Sequence, residues 1–321
     1  MRVHVYGASG YAAAELVALL ARHPHAEIGA LESASHAGEP VAKHFAHLRC
    51  IDRVFDGPGA VLERLQPDDT VVLAGSHGVA RGIAPPLLER GARIVDLSGD
   101  FRIGPTPAVY GLSERYFDEI AGARFVANPG CYPTATLLAT LPLAPFSPKQ
   151  IIVDAKSGIT GAGRTPSTAT LFAEVEGDVR AYGLSGHRHE PEILQEWRAA
   201  GMFATLVFTP QVVPLSRGML VNAYVILPQA VDEQQIVNAF RIAYDGNPFV
   251  RLLEDGMVPS MRAVRGTNDA ELHVSVSGTV VRVLCAIDNL GRGAASQALV
   301  NLNIMHGYPV ETGLEKVTCP V

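Results

Sequence analysis

The residue best suited to covalent chemistry is Cys131, in the run Phe125-Val126-Ala127-Asn128-Pro129-Gly130-Cys131-Tyr132-Pro133-Thr134-Ala135-Thr136. An apolar strand enters a Pro-Gly turn, and the segment from Pro133 onward reads as a helix, since proline is favoured in a first helical turn. Cys131 then stands at a helix N-terminus, where unpaired N–H groups and the dipole favour an anion. A thiol so placed is expected to ionise below its free value of about 8.5 and to act as a nucleophile. The competing reading is a small buried cysteine at a strand–helix junction, and the rest of the chain decides between them.

A second reactive pair is His187 and His189, in Gly186-His187-Arg188-His189-Glu190-Pro191-Glu192. In an extended segment residues two apart point to one side, so both imidazoles would face the same space with Arg188 opposite. Pro191 predicts a helix just after them, over Ile193 to Ala200, which leaves His189 near its N-terminus and favours the neutral ring. Metal binding and solvated surface histidines are the alternatives. No Cys, Asp or Glu stands beside them at recognisable ligand spacing, and no metal is expected.

A third feature is the N-terminal strand Val3 to Tyr6, followed by Gly7-Ala8-Ser9-Gly10-Tyr11-Ala12-Ala13 and a helix. Strand, glycine turn and helix form the phosphate-binding start of a dinucleotide fold. Gly7, Ser9, Gly10, Tyr11 and Ala12 are therefore candidate cofactor residues. After the next strand comes Glu32-Ser33-Ala34-Ser35-His36. Ser33 and Ser35 suit the 2′-phosphate of NADP, whereas an inward Glu32 would suit the 2′-hydroxyl of NAD.

These groups must be carried by a larger framework. With 321 residues, two domains are expected. Strands alternate with helices: Thr70 to Ala74, a helix over Gly82 to Glu89 opening on Pro85-Pro86, Arg93 to Leu97 and Phe125 to Asn128. That alternation predicts an α/β fold with a doubly wound parallel sheet, whose ligands bind at the carboxyl ends of its strands. The Gly7 turn, Ser76-His77, Asp100-Phe101-Arg102 and Cys131 all fall at such ends, which favours the reactive reading of the cysteine. After Pro148 the strands lengthen, over Ala204 to Thr209, Leu220 to Leu227 and a hairpin from Leu272 to Ile287 turning at Ser277-Gly278. A second α+β domain with a mixed or antiparallel sheet follows. The expected division is 1–148 with 294–321 for the dinucleotide-binding domain, completed by a C-terminal helix, and 149–293 for the catalytic and dimerisation domain.

A net charge of −6 without basic blocks argues against nucleic acid as a partner. The most apolar run, Leu137 to Pro145, is short and proline-broken, so no membrane span is expected. Cys50, Cys131, Cys285 and Cys319 form no CxxC pair, and no signal region precedes the first strand. A reducing cytoplasmic location is expected.

Taken together these motifs resemble the N-acetyl-gamma-glutamyl-phosphate reductase family, over nearly the whole chain. The resemblance is carried by Gly7-Ala8-Ser9-Gly10-Tyr11, Ala108-Val109-Tyr110-Gly111-Leu112, Asn128-Pro129-Gly130-Cys131-Tyr132-Pro133-Thr134 and Lys156-Ser157-Gly158. It continues through Gly161-Ala162-Gly163-Arg164, Gly186-His187-Arg188-His189, Arg265-Gly266-Thr267-Asn268 and Asp288-Asn289-Leu290. The chain departs from the family pattern at Ala13, usually glycine, at Glu32, which has no arginine nearby, and at Arg292, often lysine.

The resemblance implies a homo-oligomeric, NADPH-dependent oxidoreductase of arginine biosynthesis with a small-molecule acyl-phosphate substrate. In it the Cys131 thiolate forms a thioester, phosphate leaves, and hydride reduction yields the semialdehyde. It implies oxyanion stabilisation by the Cys131 N–H and Asn128, and a proton relay at His187 or His189. Ser157 and Gly158 are implied at the substrate, with Arg102 and Arg164 as cations by position, and Asn289 at the nicotinamide. Three readings compete with it: a related aspartate- or aminoadipate-type semialdehyde dehydrogenase, a non-catalytic nucleotide-binding protein, and a cysteine hydrolase, which would leave the Gly7 turn unused.

Overall fold

The computed structural model describes residues 1–254 and 256–314; Cys319 of the cysteine pattern lies outside them. The chain divides into two compact units, Met1–Pro129 with Ala294–Val321, and Gly130–Gly293.

The first unit is built by repetition of strand and helix. It runs β1 (Arg2–Tyr6), α1 (Tyr11–Leu20), β2 (Glu27–Glu32), short α2 (Val41–His44) and α3 (Ala60–Arg64), then β3 (Thr70–Leu73) and α4 (Ala80–Glu89). After these come β4 (Arg93–Asp96), β5 (Val109–Tyr110), α5 (Ser113–Gly122) and β6 (Phe125–Ala127). The six strands lie in the order β2-β1-β3-β4-β6-β5, every neighbouring pair parallel. Parallel strands need both faces covered and so read as continuous apolar runs. Val3, Val5, Val71, Val72, Ile94, Val95 and Val126 meet that requirement, each wholly buried. One expectation is corrected: α4 begins at Ala80, before Pro85 and Pro86, which lie inside it. Each proline removes a backbone donor from the helix interior, and the pair does not mark the helix start.

The second unit holds α6 (Cys131–Thr140), β7 (Gln150–Ser157), short α7 (Phe172–Val175), β8 (Arg180–Ala181), α8 (Glu190–Ala199), β9 (Thr205–Val212) and β10 (Met219–Ile226). It ends with α9 (Glu233–Tyr244), β11 (Val250–Leu252), α10 (Met261–Val264), β12 (Ala270–Ser277) and β13 (Val280–Ile287). Its seven strands lie in the order β11-β12-β13-β10-β7-β9-β8, with β11–β12 and β7–β9 parallel and the remaining pairs antiparallel. The sheet is mixed, as the strand lengths imply. The β12–β13 hairpin turns at Gly278-Thr279, one residue later than expected, with Gly278 at φ +62°. One face of the sheet alternates inward, through Ile151, Val153, Ala155, Val221, Ala223, Val225, Val281 and Val283. Helix α6 packs on β10 and β13 and on α8, which is why it counts with this unit although the sequence placed the boundary at 148. The last helix, α11 (Ser296–Met305), follows a π-turn at Gly291–Ala295 and belongs to the first unit.

Candidate active site

In the first unit the glycine turn has the shape that the sequence requires of it. Gly7 sits at φ +77°, and a Cβ there would lie 2.7 Å from the Gly75 nitrogen, so β1 and the end of β3 approach only because neither carries a side chain. Gly10 caps α1, no side chain closes that cap, and no acid occupies the first turn, which spans Tyr11 and Ala12. A helix start so arranged fits the pyrophosphate of a dinucleotide. Beyond β2, the Ser33 hydroxyl donates to Ser9 Oγ at 3.0 Å and lies 3.5 Å from Ser35 Oγ. Glu32 is buried, and its Oε2 accepts the Val61 N–H of α3 at 2.9 Å. Its carboxylate is thereby committed within the fold.

In the second unit a cavity of about 450 Å³ is lined by Cys131, Ser157, Arg180, Tyr182, His187 and His189 together with Tyr132, Gly158 and Arg188. Cys131 is the first residue of α6, of intermediate exposure and in no disulfide among the described residues, behind the Gly130 cap. The helix it begins is held firmly. Thr140 Oγ1 accepts from the Trp197 indole N–H at 2.9 Å, and Tyr244 donates to the Leu138 carbonyl at 2.8 Å. Two further contacts fix the cysteine itself. The buried Glu192 carboxylate accepts the Gly130 N–H at 2.9 Å. A Cβ on Gly293 would fall 2.6 Å from the Cys131 Cβ, so only glycine lets the chain pass there.

The histidines are brought together, though by a turn and not by an extended strand. His189 caps α8 in helical backbone geometry, and the two rings meet edge to face at 4.8 Å. Helix α8 starts at Glu190, with Pro191 in its first turn. His187 Nδ1 accepts the His189 N–H at 3.2 Å, which assigns the proton of its neutral form to Nε2. Burial, and then the Arg188 charge, lower the His187 pKa from its ordinary value, so the ring is neutral at pH 7. The Tyr182 hydroxyl donates to Tyr132, which donates to the Gln211 carbonyl, at 3.1 and 3.2 Å. Burial raises both phenols, which remain protonated donors.

The remaining expected residues are placed as follows. Ser157 is buried and donates to its neighbour's carbonyl at 3.0 Å, while a Cβ on Gly158 would lie 2.9 Å from the Arg217 nitrogen. Asn128 is buried in the first unit, donating to the Ala294 carbonyl at 3.3 Å and accepting from Asn301 at 3.0 Å. Arg102 is also buried there, donating to the carbonyls of Asn128 and Leu97 at 2.7 Å each. Asn289 accepts the Gly218 N–H at 2.8 Å and donates to Thr160 at 3.0 Å. Arg164 is half-buried, outside the residues that line the cavity. The cations that do line it are Arg180 and Arg188, neither paired with an acid among the described residues. Sequence reasoning missed Arg180, Tyr182, Glu192 and Gly293. Of these only Glu192 carried a signal, its place in the histidine run.

Two family models match separate parts of the chain. Residues 2–123 match the model of the semialdehyde dehydrogenase NAD binding domain, and residues 131–289 that of the semialdehyde dehydrogenase dimerisation domain. The chain is 41% identical to the N-acetyl-gamma-glutamyl-phosphate reductase of Brevibacillus brevis, over 99% of each chain. It is 42% identical to that of Syntrophobacter fumaroxidans, over 98% of each. In fold it is similar to aspartate semialdehyde dehydrogenase II of Vibrio cholerae, with a TM-score of 0.75 at 16% identity over 95% of this chain and 98% of that one. The Candida albicans aspartate semialdehyde dehydrogenase gives 0.70 at 16% identity, over 95% and 98%.

Proposed function

Since this chain belongs to the N-acetyl-gamma-glutamyl-phosphate reductase family of semialdehyde dehydrogenases, we propose that it reduces N-acetyl-gamma-glutamyl phosphate with NADPH, releasing phosphate and the γ-semialdehyde. This is a step of arginine biosynthesis. The observation that carries the reading is the single cavity holding Cys131, both histidines and two arginines that have no acidic partner among the described residues.

Cys131 Sγ forms a bond to the acyl carbon, the carbon–oxygen bond to phosphate breaks, and phosphate departs from the resulting thioester. The positive end of α6 favours the thiolate, and the Cys131 N–H is the donor for the developing oxyanion. The nicotinamide, when bound, supplies the hydride that makes the thioester a thiohemiacetal. His189 protonates the thiohemiacetal oxygen and takes the proton back as the carbon–sulfur bond breaks, returning the thiolate. His189 and Glu192 stand three apart on the first turn of α8, hence on one face, and Glu192 already reaches the residue before Cys131. His187 braces this histidine through its N–H. Arg180 and Arg188 hold the substrate's phosphate and carboxylate, the task the sequence assigned to Arg102 and Arg164.

NADP is favoured over NAD by the position of Glu32. Its carboxylate serves the Val61 N–H, and the hydroxyls of Ser33 and Ser35 suit a 2′-phosphate. We infer that a second copy of the chain pairs through the face of the seven-stranded sheet on which Val207 and Tyr224 are exposed. Among the described residues Cys50, Cys131 and Cys285 form no disulfide, which suits the reducing cytoplasm.

The test runs the reaction backwards. Protein given N-acetyl-glutamate γ-semialdehyde, NADP and phosphate should reduce the nucleotide only when phosphate is present, and Cys131→Ser should abolish it. Turnover surviving in that variant would remove covalent catalysis. Preference for aspartate semialdehyde would assign the chain a different substrate.

A further inference from the structure

Away from the cavity, the loop after β2 and the end of α2 gather His36, Glu39 and His44, whose ligand atoms all lie within 4.8 Å of one another. His44 Nε2 is 3.0 Å from Glu39 Oε2, His36 Nδ1 is 3.7 Å from Glu39 Oε1, and the two rings are 4.0 Å apart. We propose that these three side chains form a binding site for one divalent transition-metal ion, with Zn²⁺ the best match. The proposal is independent of the reductase reading.

Three observations carry it. The donor set is two imidazoles and a carboxylate, the ligands that zinc takes at about 2.0 to 2.2 Å in a tetrahedron. Such bonds put neighbouring ligand atoms about 3.3 Å apart, and the two measured separations of 3.0 and 3.7 Å straddle that value. Calcium and magnesium, which demand more oxygen ligands, are excluded by the same set.

The backbone beneath the cluster is fixed. Gly38 donates to the Phe55 carbonyl at 2.8 Å, Phe55 to the Glu39 carbonyl at 3.0 Å, and Val41 to the Arg53 carbonyl at 2.9 Å. A short ladder therefore holds the ligands on one side of a turn that Glu39 closes by donating to the His36 carbonyl. Both rings also pack near Phe55, itself 1% exposed, at 6.1 and 5.7 Å. His44 is only 13% exposed, so its orientation is set by packing and not by solvent.

Finally, the cluster already attracts a cation. Lys43 Nζ lies 2.5 Å from Glu39 Oε2. The lysine side chain is 65% exposed on a flexible stem and can swing into water when an ion takes its place. Three protein ligands leave the fourth position of a tetrahedral zinc to a water molecule.

The experiment is equilibrium dialysis of the chelator-stripped full-length protein against Zn²⁺, with Co²⁺ absorption as a second readout. Wild-type protein should bind one ion. His44→Phe and His36→Gln should weaken binding by about 10- to 100-fold, and Cys131→Ser should leave it unchanged, with no thiolate band in the Co²⁺ spectrum. Lys43→Gln, an exposed change that cannot disturb folding much, should tighten binding severalfold by removing the competing ammonium. The proposal is overturned by any of three results: no retained ion, equal retention without His44, or loss of binding in Cys131→Ser.

Discussion

The carboxylate of Glu192 lies 2.9 Å from the backbone nitrogen of Gly130, so a side chain on α8 holds the turn that precedes Cys131. That donor is buried, and removing its acceptor leaves it unsatisfied at a cost of about 1 to 3 kcal/mol. Glu192→Ala should therefore lower kcat by at least tenfold with little change in the KM for NADPH. Glu192→Gln keeps a carbonyl acceptor and should recover most of the loss. Equal defects in both variants would mean that the negative charge, and not the hydrogen bond, is what matters.

Gly293 makes the complementary contact. An alanine Cβ there would overlap the Cys131 Cβ at 2.6 Å, and neither group is a flexible chain end. Gly293→Ala should displace the nucleophile and reduce thiol alkylation and turnover together, by about 100-fold if the shift reaches an ångström. Cofactor affinity, measured by fluorescence titration, should stay near wild type.

The nucleotide preference can be tested at Ser33 and Ser35. Replacing both by alanine removes the hydroxyls beside Ser9 and should raise the KM for NADPH about tenfold while leaving that for NADH nearly unchanged. Glu32→Gln should shift neither value much, because that carboxylate answers Val61. A strong gain in NADPH affinity in Glu32→Gln would show that the acid does face the ribose.

Arg180 offers a test of substrate recognition. Its described partner is the Ala169 carbonyl at 3.1 Å, so its charge is available to an anion in the cavity. Arg180→Gln should raise the KM for the acyl phosphate by about 10- to 100-fold, the loss expected of a charge-assisted contact. If only kcat falls, the arginine acts on the transition state and not in binding.

Much of this architecture was legible beforehand, for physical reasons that differ by element. The parallel strands read clearly because a strand covered on both faces must be apolar throughout, as Val71-Val72 and Ile94-Val95 are. Cys131 read clearly because Pro129-Gly130 ends a strand and Pro133 opens a helix, both local signals. Pairings across sequence were not legible. Nothing local shows that Glu192 reaches back 62 positions to Gly130, or that Gly293 is glycine because of Cys131. Arg102 and Arg180 show the same limit: both are arginines near motifs, and only burial shows that Arg102 answers backbone carbonyls. The two histidine rings meet through a turn and not through the extended segment expected, since a turn and a strand can both bring residues two apart to one side.

His306 gives the clearest pH effect on stability. It follows α11, and its Nε2 lies 2.8 Å from the Thr70 hydroxyl on β3. Burial, and then the Arg93 charge, lower its pKa from 6.5 to about 4. The folded state thus favours the neutral ring, whereas the unfolded chain takes up a proton near pH 6.5. The stabilisation is complete above that pH and is lost as the pH falls from 6.5 through 4. The full shift corresponds to about 3 kcal/mol, and solvent screening of this half-buried ring reduces it to about 1 kcal/mol. Urea unfolding at pH 7.5 and pH 4.5 should therefore show a larger loss of stability in wild type than in His306→Gln. The glutamine keeps the bond to Thr70 but cannot titrate. Parallel pH profiles for the two proteins would place the acid sensitivity elsewhere.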